Sequence, residues 1–555
     1  MKSVKWYSKL LLSVLSGLIW AFSWYPHGIV LLSFVALIPL LYLSDLSIKE
    51  GKRNAFGRGI LLFYPAFFVF NFITTYWIAY CTLPGAAAAV ILNALLQTMV
   101  FSAWHACRKH LNNRWLQAII LIGFWAAFEY LHLNWDLTWP WLNLGNVFAE
   151  YPQIVQWYSV TGTAGGTIWI LSVNILIYKL IRQYGEKSNK QTAVLAAVIA
   201  VVVAAPVVIS LAMRVQVDKN IDQSRPVRAV IVQQNTDPWF EEYSLNNSQE
   251  IDRILDVAGP FVNANTDLVI TPESSIAHGI DINALRSGNF LSEDTRYNGF
   301  QKFDSLFVKY PNLNFVLGLS TFRFEKYKFT ENSREVAPNV FSDYYNTAGF
   351  YNASGLQDYY HKSRLVPGVE KMPFPKIFGF LGDIMIKLGG SNASLGCDTV
   401  QRTFFFDKDG KKTGVGVAIC YESIYGELVG NFVKNGAGIL AVITNDSWWK
   451  DSQGHIQHFE MARLRAVETR RYVLRAANGG FSGVIDPAGR VLAKTEYDER
   501  TAIETQVCVQ DGQTFYVKHG DYLYRMAVLV SLLGLVTSII LAIVNRILNR
   551  KRVKA

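Results

Sequence analysis

Eight stretches of this chain are too long and too apolar to be left in water. They lie near residues 8–25, 28–44, 58–80, 84–104, 116–133, 163–183, 194–213 and 524–545. About 20 apolar residues in a helix cross roughly 30 Å of hydrocarbon. A backbone in lipid must satisfy its own N–H and C=O groups, so each stretch predicts a helix rather than a strand or loop. The first stretch reads as a span and not a cleaved signal, because the second follows almost at once with no small-residue cleavage site between them. With 51% hydrophobic and 17% charged residues, extended disorder is excluded. Five cysteines with no CxxC or Cys/His spacing suggest neither a disulfide scaffold nor a zinc site.

The net charge of +10 would suit a nucleic-acid partner only if the basic residues were clustered on the water-soluble part. They are not. Residues 214–525 hold 34 Lys and Arg against 37 Asp and Glu, and the rest holds 19 against 6. All 19 fall in segments 1–9, 49–58, 105–115, 179–190 and 546–555, which alternate with loops carrying none. Cytoplasmic loops collect Lys and Arg, so both termini are expected in the cytoplasm and the long stretch between the seventh and eighth spans outside. The expected organisation is a transmembrane domain of seven helices over 1–213, an outer domain over 214–523, and an eighth helix with a basic tail over 524–555.

The outer stretch has a different texture, with short β-rich runs alternating with amphipathic helical ones, which indicates a layered α/β fold. Strands are expected at Val227–Gln234, Asp267–Thr271, Asn314–Ser320, Thr347–Tyr351, Gly414–Cys420, Gly438–Thr444 and Gly483–Asp486, and helices near 247–258, 298–309, 424–434 and 455–472.

Three such runs end on a reactive side chain. Cys420 closes GVGVAIC before a helical stretch, where a thiol would be exposed and helix N–H groups would favour the thiolate. Glu273 closes DLVITPES, at a sheet edge where partial burial would tune a carboxylate toward general-base work. Lys362 ends LQDYYHK, where an ammonium could hold an oxyanion or be a surface charge. Taken singly, a buried inert cysteine and a solvated acid are the commoner readings.

Together, TPES, YHKSRLVPGVE and AICYES resemble the Glu-Lys-Cys motifs of the nitrilase superfamily. The preceding spans, with LVPGVEKMPFP, TNDSWW and HFEMARLRAVETRRYVLRAANGG, are similar to its apolipoprotein N-acyltransferase family in particular. The resemblance implies an eight-span membrane bundle carrying a nitrilase-like αββα sandwich, facing the periplasm from the bacterial inner membrane. It implies transfer of an acyl chain from a phospholipid, through a Cys420 thioester, to the α-amine of a diacylglyceryl-cysteine apolipoprotein, without metal or cofactor. Glu273 would be the base, and Lys362 would stabilise the oxyanion. Glu370 would be a second carboxylate orienting Lys362 or the amine. Tyr421, Glu422, Trp239 and Trp448 fall in segments that line the family's substrate cleft. The family segment after the lysine often reads LVPFGE where this chain has Leu365-Val-Pro-Gly-Val-Glu370, and Trp239 fits most loosely.

Four features stay open at this level. The Trp-rich stretch 135–145 suits an interfacial anchor or a substrate loop. Glu129, inside the fifth span, suits a structural hydrogen bond or a functional acid. Residues 373–390 are apolar enough for a membrane-leaning lid or for domain core. The five arginines of Arg463–Arg475 suit a helix whose charges pair with acids or meet lipid phosphate. A tethered amidase using the same triad, and a transporter or sensor with a dead outer domain, are the competing functions. Eight spans oppose the first, and the complete triad opposes the second.

Overall fold

The computed structural model describes residues 4–51, 54–184, 188–241, 244–288, 299–330, 332–378 and 394–554. Most of the stretch 373–390 therefore lies outside the described residues. The chain forms two compact units, one of Met1–Ala79, Pro84–Ala212 and Asp521–Ala555, the other of Tyr80–Leu83 and Met213–Gly520.

Among the described residues, eight helical segments are long and apolar enough to cross a membrane, the shortest being Trp6–Ser23 and the longest Asn189–Asn220. The second is interrupted. A 3-10 turn, Val30–Phe34, precedes the helix Ile38–Lys49, which carries Pro39 in its first turn. Proline there lacks an N–H that would be unpartnered anyway. Asn174 repairs the break, accepting from Leu37 N (2.8 Å) and donating to Ser33 O (2.7 Å).

The Trp-rich stretch is not an exposed belt. It folds into the short turns Pro140–Leu142 and Leu144–Phe148, and Trp141 is buried, stacked on Trp139 with ring centroids 5.6 Å apart. Glu129 anchors it. The buried carboxylate accepts from Leu144 N (2.7 Å), Thr167 Oγ1 (2.7 Å), Tyr524 OH (2.9 Å) and Trp125 Nε1 (3.1 Å). Four fixed donors favour the structural reading of this acid.

The second unit contains two sheets. Its strands are β1 (Pro226–Gln233), β2 (Leu268–Ile270), β3 (Ile276–Asp281), β4 (Asn314–Glu325), β5 (Arg334–Ala337), β6 (Val340–Asn352) and β7 (Gly355–His361). They continue with β8 (Thr403–Lys408), β9 (Lys411–Ile419), β10 (Ile439–Asn445), β11 (Val473–Asn478), β12 (Gly483–Ile485), β13 (Val491–Lys494) and β14 (Thr501–Cys508). One sheet runs β14-β1-β2-β4-β6-β5, with β3 on β4 and β7 on β6, and the other runs β13-β12-β11-β10-β9-β8. The sheets meet through β1 with β11 and β6 with β9.

Helices cover the outer faces. Asn247–Ala258, closed by an Asn246/Gln249 capping box, and Lys302–Lys309 bury Ile251, Ile254, Phe303 and Phe307 against Val230, Val232 and Phe315. The helices Gly426–Lys434 and Gln453–Thr469 cover the second sheet. Strands covered on both faces read as unbroken apolar runs, as β10 does with all seven residues buried. The result is the expected αββα sandwich.

One expected helix is shorter than its pattern. It ends at Thr469 because Arg470 turns into the left-handed region (φ 55°), which frees Val473 to open β11, paired with Leu440 of β10. The Arg463–Arg475 run is therefore split between a helix, a turn and a strand, and most of its charge is interior. Arg465 and Arg475 are fully buried, paired with Glu468 (2.8 Å) and Asp446 (2.6 Å).

Candidate active site

Parallel pairing of β2 with β1 and β4, and of β10 with β9 and β11, sends several strands out at one edge of each sheet. Open α/β sheets present reactive groups at such carboxyl ends. Glu273 lies three residues beyond β2, Lys362 follows β7 and Cys420 follows β9.

Lys362 is the hub. Its side chain is 1% exposed, and Nζ lies 3.1 Å from Glu273 Oε1 and 2.8 Å from Glu370 Oε1. Burial works against its positive charge, but the two carboxylates outweigh it and raise the ammonium well above the ordinary lysine range. The lysine stays charged. Glu273 also accepts from Asn346 Nδ2 (2.6 Å) and, through Oε2, from Asn445 N (2.9 Å). Glu370 is held by Val366 N (2.8 Å), within the loop where the Gly-Val sequence departs from the family pattern.

Cys420 opens a 3-10 turn, Cys420–Ile424, at a sharp elbow with φ 51°. A non-glycine residue there is strained and must be held by its surroundings. Glu422 does much of the holding. One of its oxygens accepts from Ile419 N (2.8 Å), and the other accepts from Tyr360 OH (2.6 Å), Ser363 N (2.7 Å) and Ser363 Oγ (2.7 Å). It ties the residue before the cysteine to the residue after Lys362. Ser423 Oγ (2.7 Å) and His458 Nε2 (3.2 Å) bond the Cys420 carbonyl.

The expectation of an exposed, thiolate-prone cysteine is corrected. Cys420 is buried, and that burial pushes its thiol well up, with the Glu273 charge adding to the effect and Lys362 only partly offsetting it. The reason is that the ammonium is already shared between two carboxylates. Any attack by this sulfur needs a base at that moment, and Glu273 is the carboxylate whose charge it feels most.

The expected cleft residues separate. Glu422 is fully buried with both oxygens occupied, so it presents nothing to a ligand and positions the elbow instead. Tyr421 is buried edge-on against Tyr425 (5.3 Å). Trp239 and Trp448 do come together, ring centroids 4.9 Å apart. Trp239 lines a cleft of about 800 Å³ with Thr236, Phe240, Ser447, Lys450 and Arg500, whose walls include none of Glu273, Lys362 and Cys420. Sequence reasoning missed Asn346, and it missed the buried network that Thr444, Asp446 and His458 form around Arg475. Only the TND of TNDSWW and the HFE of HFEMARLR pointed there.

A double sheet flanked by helices, with an acid, an amine and a thiol at converging strand ends, is the build of a nitrilase-type protein. Residues 228–515 match the model of the carbon-nitrogen hydrolase family, and the chain belongs to that family. Residues 16–176 match the N-terminal domain of apolipoprotein N-acyltransferase. The chain is 28% identical to the apolipoprotein N-acyltransferase of Chlorobaculum tepidum, over 92% of each protein. It is 26% identical to that of Thermotoga maritima, over 95% of this chain and 93% of the other. Among solved structures it is similar to a Saccharomyces cerevisiae member of branch 10 of the nitrilase superfamily, with 18% identity, TM-score 0.34, and 52% of this chain and 93% of that one covered.

Proposed function

We propose that this bacterial membrane acyltransferase carries an acyl chain from a phospholipid on Cys420 and delivers it to the α-amine of a diacylglyceryl apolipoprotein. The observation that carries this reading is the buried Lys362 ammonium braced by two carboxylates beside a buried thiol. Near-complete alignment with apolipoprotein N-acyltransferases supplies the substrate class.

In the first half-reaction Glu273 takes the thiol proton as sulfur attacks the ester carbonyl. The developing oxyanion is met by Lys362 and by backbone N–H groups beside Cys420. The C–O bond breaks, the proton passes to the departing lysophospholipid oxygen, and the acyl group remains as a thioester. In the second, the amine nitrogen attacks that thioester and yields a proton to Glu273. The C–S bond breaks, and the sulfur takes the proton back. Glu370 gives the arrangement its economy: when Glu273 is protonated it no longer balances Lys362, and Glu370 still does. The ammonium then stays in place through both halves.

The placement of residues 1–213 and 524–555 in the inner membrane, with both termini cytoplasmic and 214–523 periplasmic, rests on the alternating loop charge. Intact mass of the purified protein, with and without phospholipid, tests the chemistry. One acyl adduct on Cys420 is expected, lost in Cys420→Ala and in Glu273→Gln. No adduct in the wild type, or hydrolysis of small amides in its place, overturns the reading in favour of an amidase.

A further inference from the structure

A buried polar cluster that the mechanism above does not use sits behind the nucleophile. Asp446, just beyond β10, His458, on the helix Gln453–Thr469, and Arg475, in β11, are each fully buried. Asp446 Oδ2 accepts from Arg475 (2.6 Å), while Oδ1 lies 3.0 Å from His458 Nδ1 and 2.8 Å from Thr444 Oγ1, which donates to it. On its other side His458 Nε2 reaches Ser423 Oγ (2.8 Å) and the Cys420 carbonyl (3.2 Å). The cluster thus grips the backbone of the strained elbow.

It also reaches the sulfur. β10 runs parallel to β9 with Ile443 paired to Ile419, and Thr444 and Cys420, the next residue of each segment, lie within side-chain hydrogen-bonding reach of each other. Thr444 is itself fully buried. A threonine hydroxyl can be spent on its own or a neighbouring backbone group. Here the hydroxyl is spent on a side chain that the surrounding network fixes, next to the reacting atom.

We propose that Thr444 is a further catalytic residue, whose hydroxyl steadies the Cys420 thiolate, with Asp446, His458 and Arg475 positioning it. The proposal rests on Cys420 being the nucleophile. While the thiol is protonated, the single Thr444 proton goes to Asp446. When Glu273 removes the thiol proton, the hydroxyl turns that hydrogen to the sulfur, and Asp446 keeps its bonds from His458 and Arg475. No covalent bond changes in the turn. Burial opposes charge on Asp446, but Arg475 and His458 outweigh it and hold the carboxyl well below the ordinary range, so it remains an acceptor throughout. The Thr444 hydroxyl likewise lowers the Cys420 thiol against the burial that raises it.

The test is the rate of Cys420 alkylation by iodoacetamide across pH in the full-length protein, read beside acyl-adduct formation. Thr444→Val keeps the shape and removes the hydroxyl. Alkylation near neutral pH should slow about tenfold to a hundredfold, the range for losing a hydrogen bond to a charged group. Its pH profile should move upward, and Thr444→Ser should restore both. A merely structural threonine would leave the profile where it is. Should the valine variant not fold, Thr444→Ala against Thr444→Ser gives the same comparison at nearly matched volume. Unchanged alkylation profiles in the hydroxyl-free variants overturn the proposal even where the acyl adduct forms normally. A shifted profile without any acyl adduct in the wild type leaves Thr444 its role and removes the acyltransferase reading instead.

Discussion

Each unit of the molecule holds a buried, fully bonded carboxylate, Glu129 in one and Glu273 in the other, and the two are used in opposite ways. Glu129, in the helical unit, is surrounded by neutral donors from the fifth, sixth and eighth apolar helices and the Trp-rich turn, all fixed in place. Glu273, in the sandwich, has two fixed donors, and its third partner is an ammonium that it shares with Glu370. A carboxylate saturated by neutral donors braces the elements that supply them. One balanced by a shared cation beside a thiol can change its protonation state without leaving that cation unpaired. Burial alone therefore does not mark a functional acid, and the kind of partner does.

The largest effect expected from disturbing this contrast is at Lys362. Lys362→Met leaves the buried Glu273 and the partly buried Glu370 without their shared cation and should lower acyl-adduct formation by about 10²–10³ or more. Lys362→Arg should be nearly as damaging, because a planar guanidinium cannot occupy the place of a compact ammonium between Glu273 and Glu370. If arginine keeps more than roughly a tenth of the activity, Lys362 is only a nearby charge.

Glu370→Gln comes next, with a loss of about tenfold to a hundredfold in single-turnover acylation, since the ammonium then depends on the carboxylate that must be protonated. A loss in substrate affinity with an unchanged turnover rate would instead place Glu370 at the amine.

Glu422→Gln turns an amide N–H₂ toward at least one of four donors. Each donor left without an acceptor costs about 1–3 kcal/mol. Thermal stability and acylation should fall together, because the same side chain sets the elbow and the Lys362 loop. Glu129→Gln should lower the melting temperature while leaving acylation within about twofold. Abolished acylation in a well-folded Glu129 variant would erase the contrast between the two acids.

The smallest effect is in pH. His361, just before Lys362, is pushed down to about 3 by burial and by the Arg402 and Arg323 charges. The unfolded chain binds that proton near 6.5, so this contribution to stability is full above 6.5 and is lost as the pH falls toward 3. Between pH 7 and 6 the loss should stay under about 1 kcal/mol. Chemical denaturation of wild type and His361→Gln at both values measures it, and an equal slope in the variant would assign the loss elsewhere.

How much of this could be read from the sequence depended on whether the signal was local. The apolar runs fixed the eight helices, because crossing hydrocarbon leaves a continuous mark. Strands buried on both faces, such as β1, β9 and β10, were legible for a similar reason. β3, β5, β8, β11, β13 and β14 were not, being short, partly polar, or overlapping a helical pattern as β11 does. The three reactive residues were found because each closes a β-rich run at a strand end.

What those residues do to one another was decided only in three dimensions. Glu273 and Lys362 are 89 residues apart in sequence, yet share a hydrogen bond. Whether a lysine meets one carboxylate or two depends on where β7 and the loop after it come to lie. The burial that turns Cys420 from a ready thiolate into a guarded thiol comes from neighbouring strands, not from its own segment. Thr444 comes within reach of Cys420 after the paired residues Ile443 and Ile419, and a slip of one residue would send its side chain to the other face of the sheet. Side-chain periodicity is written along the chain, but partners are chosen by packing between distant segments, and partners fix charge and reactivity.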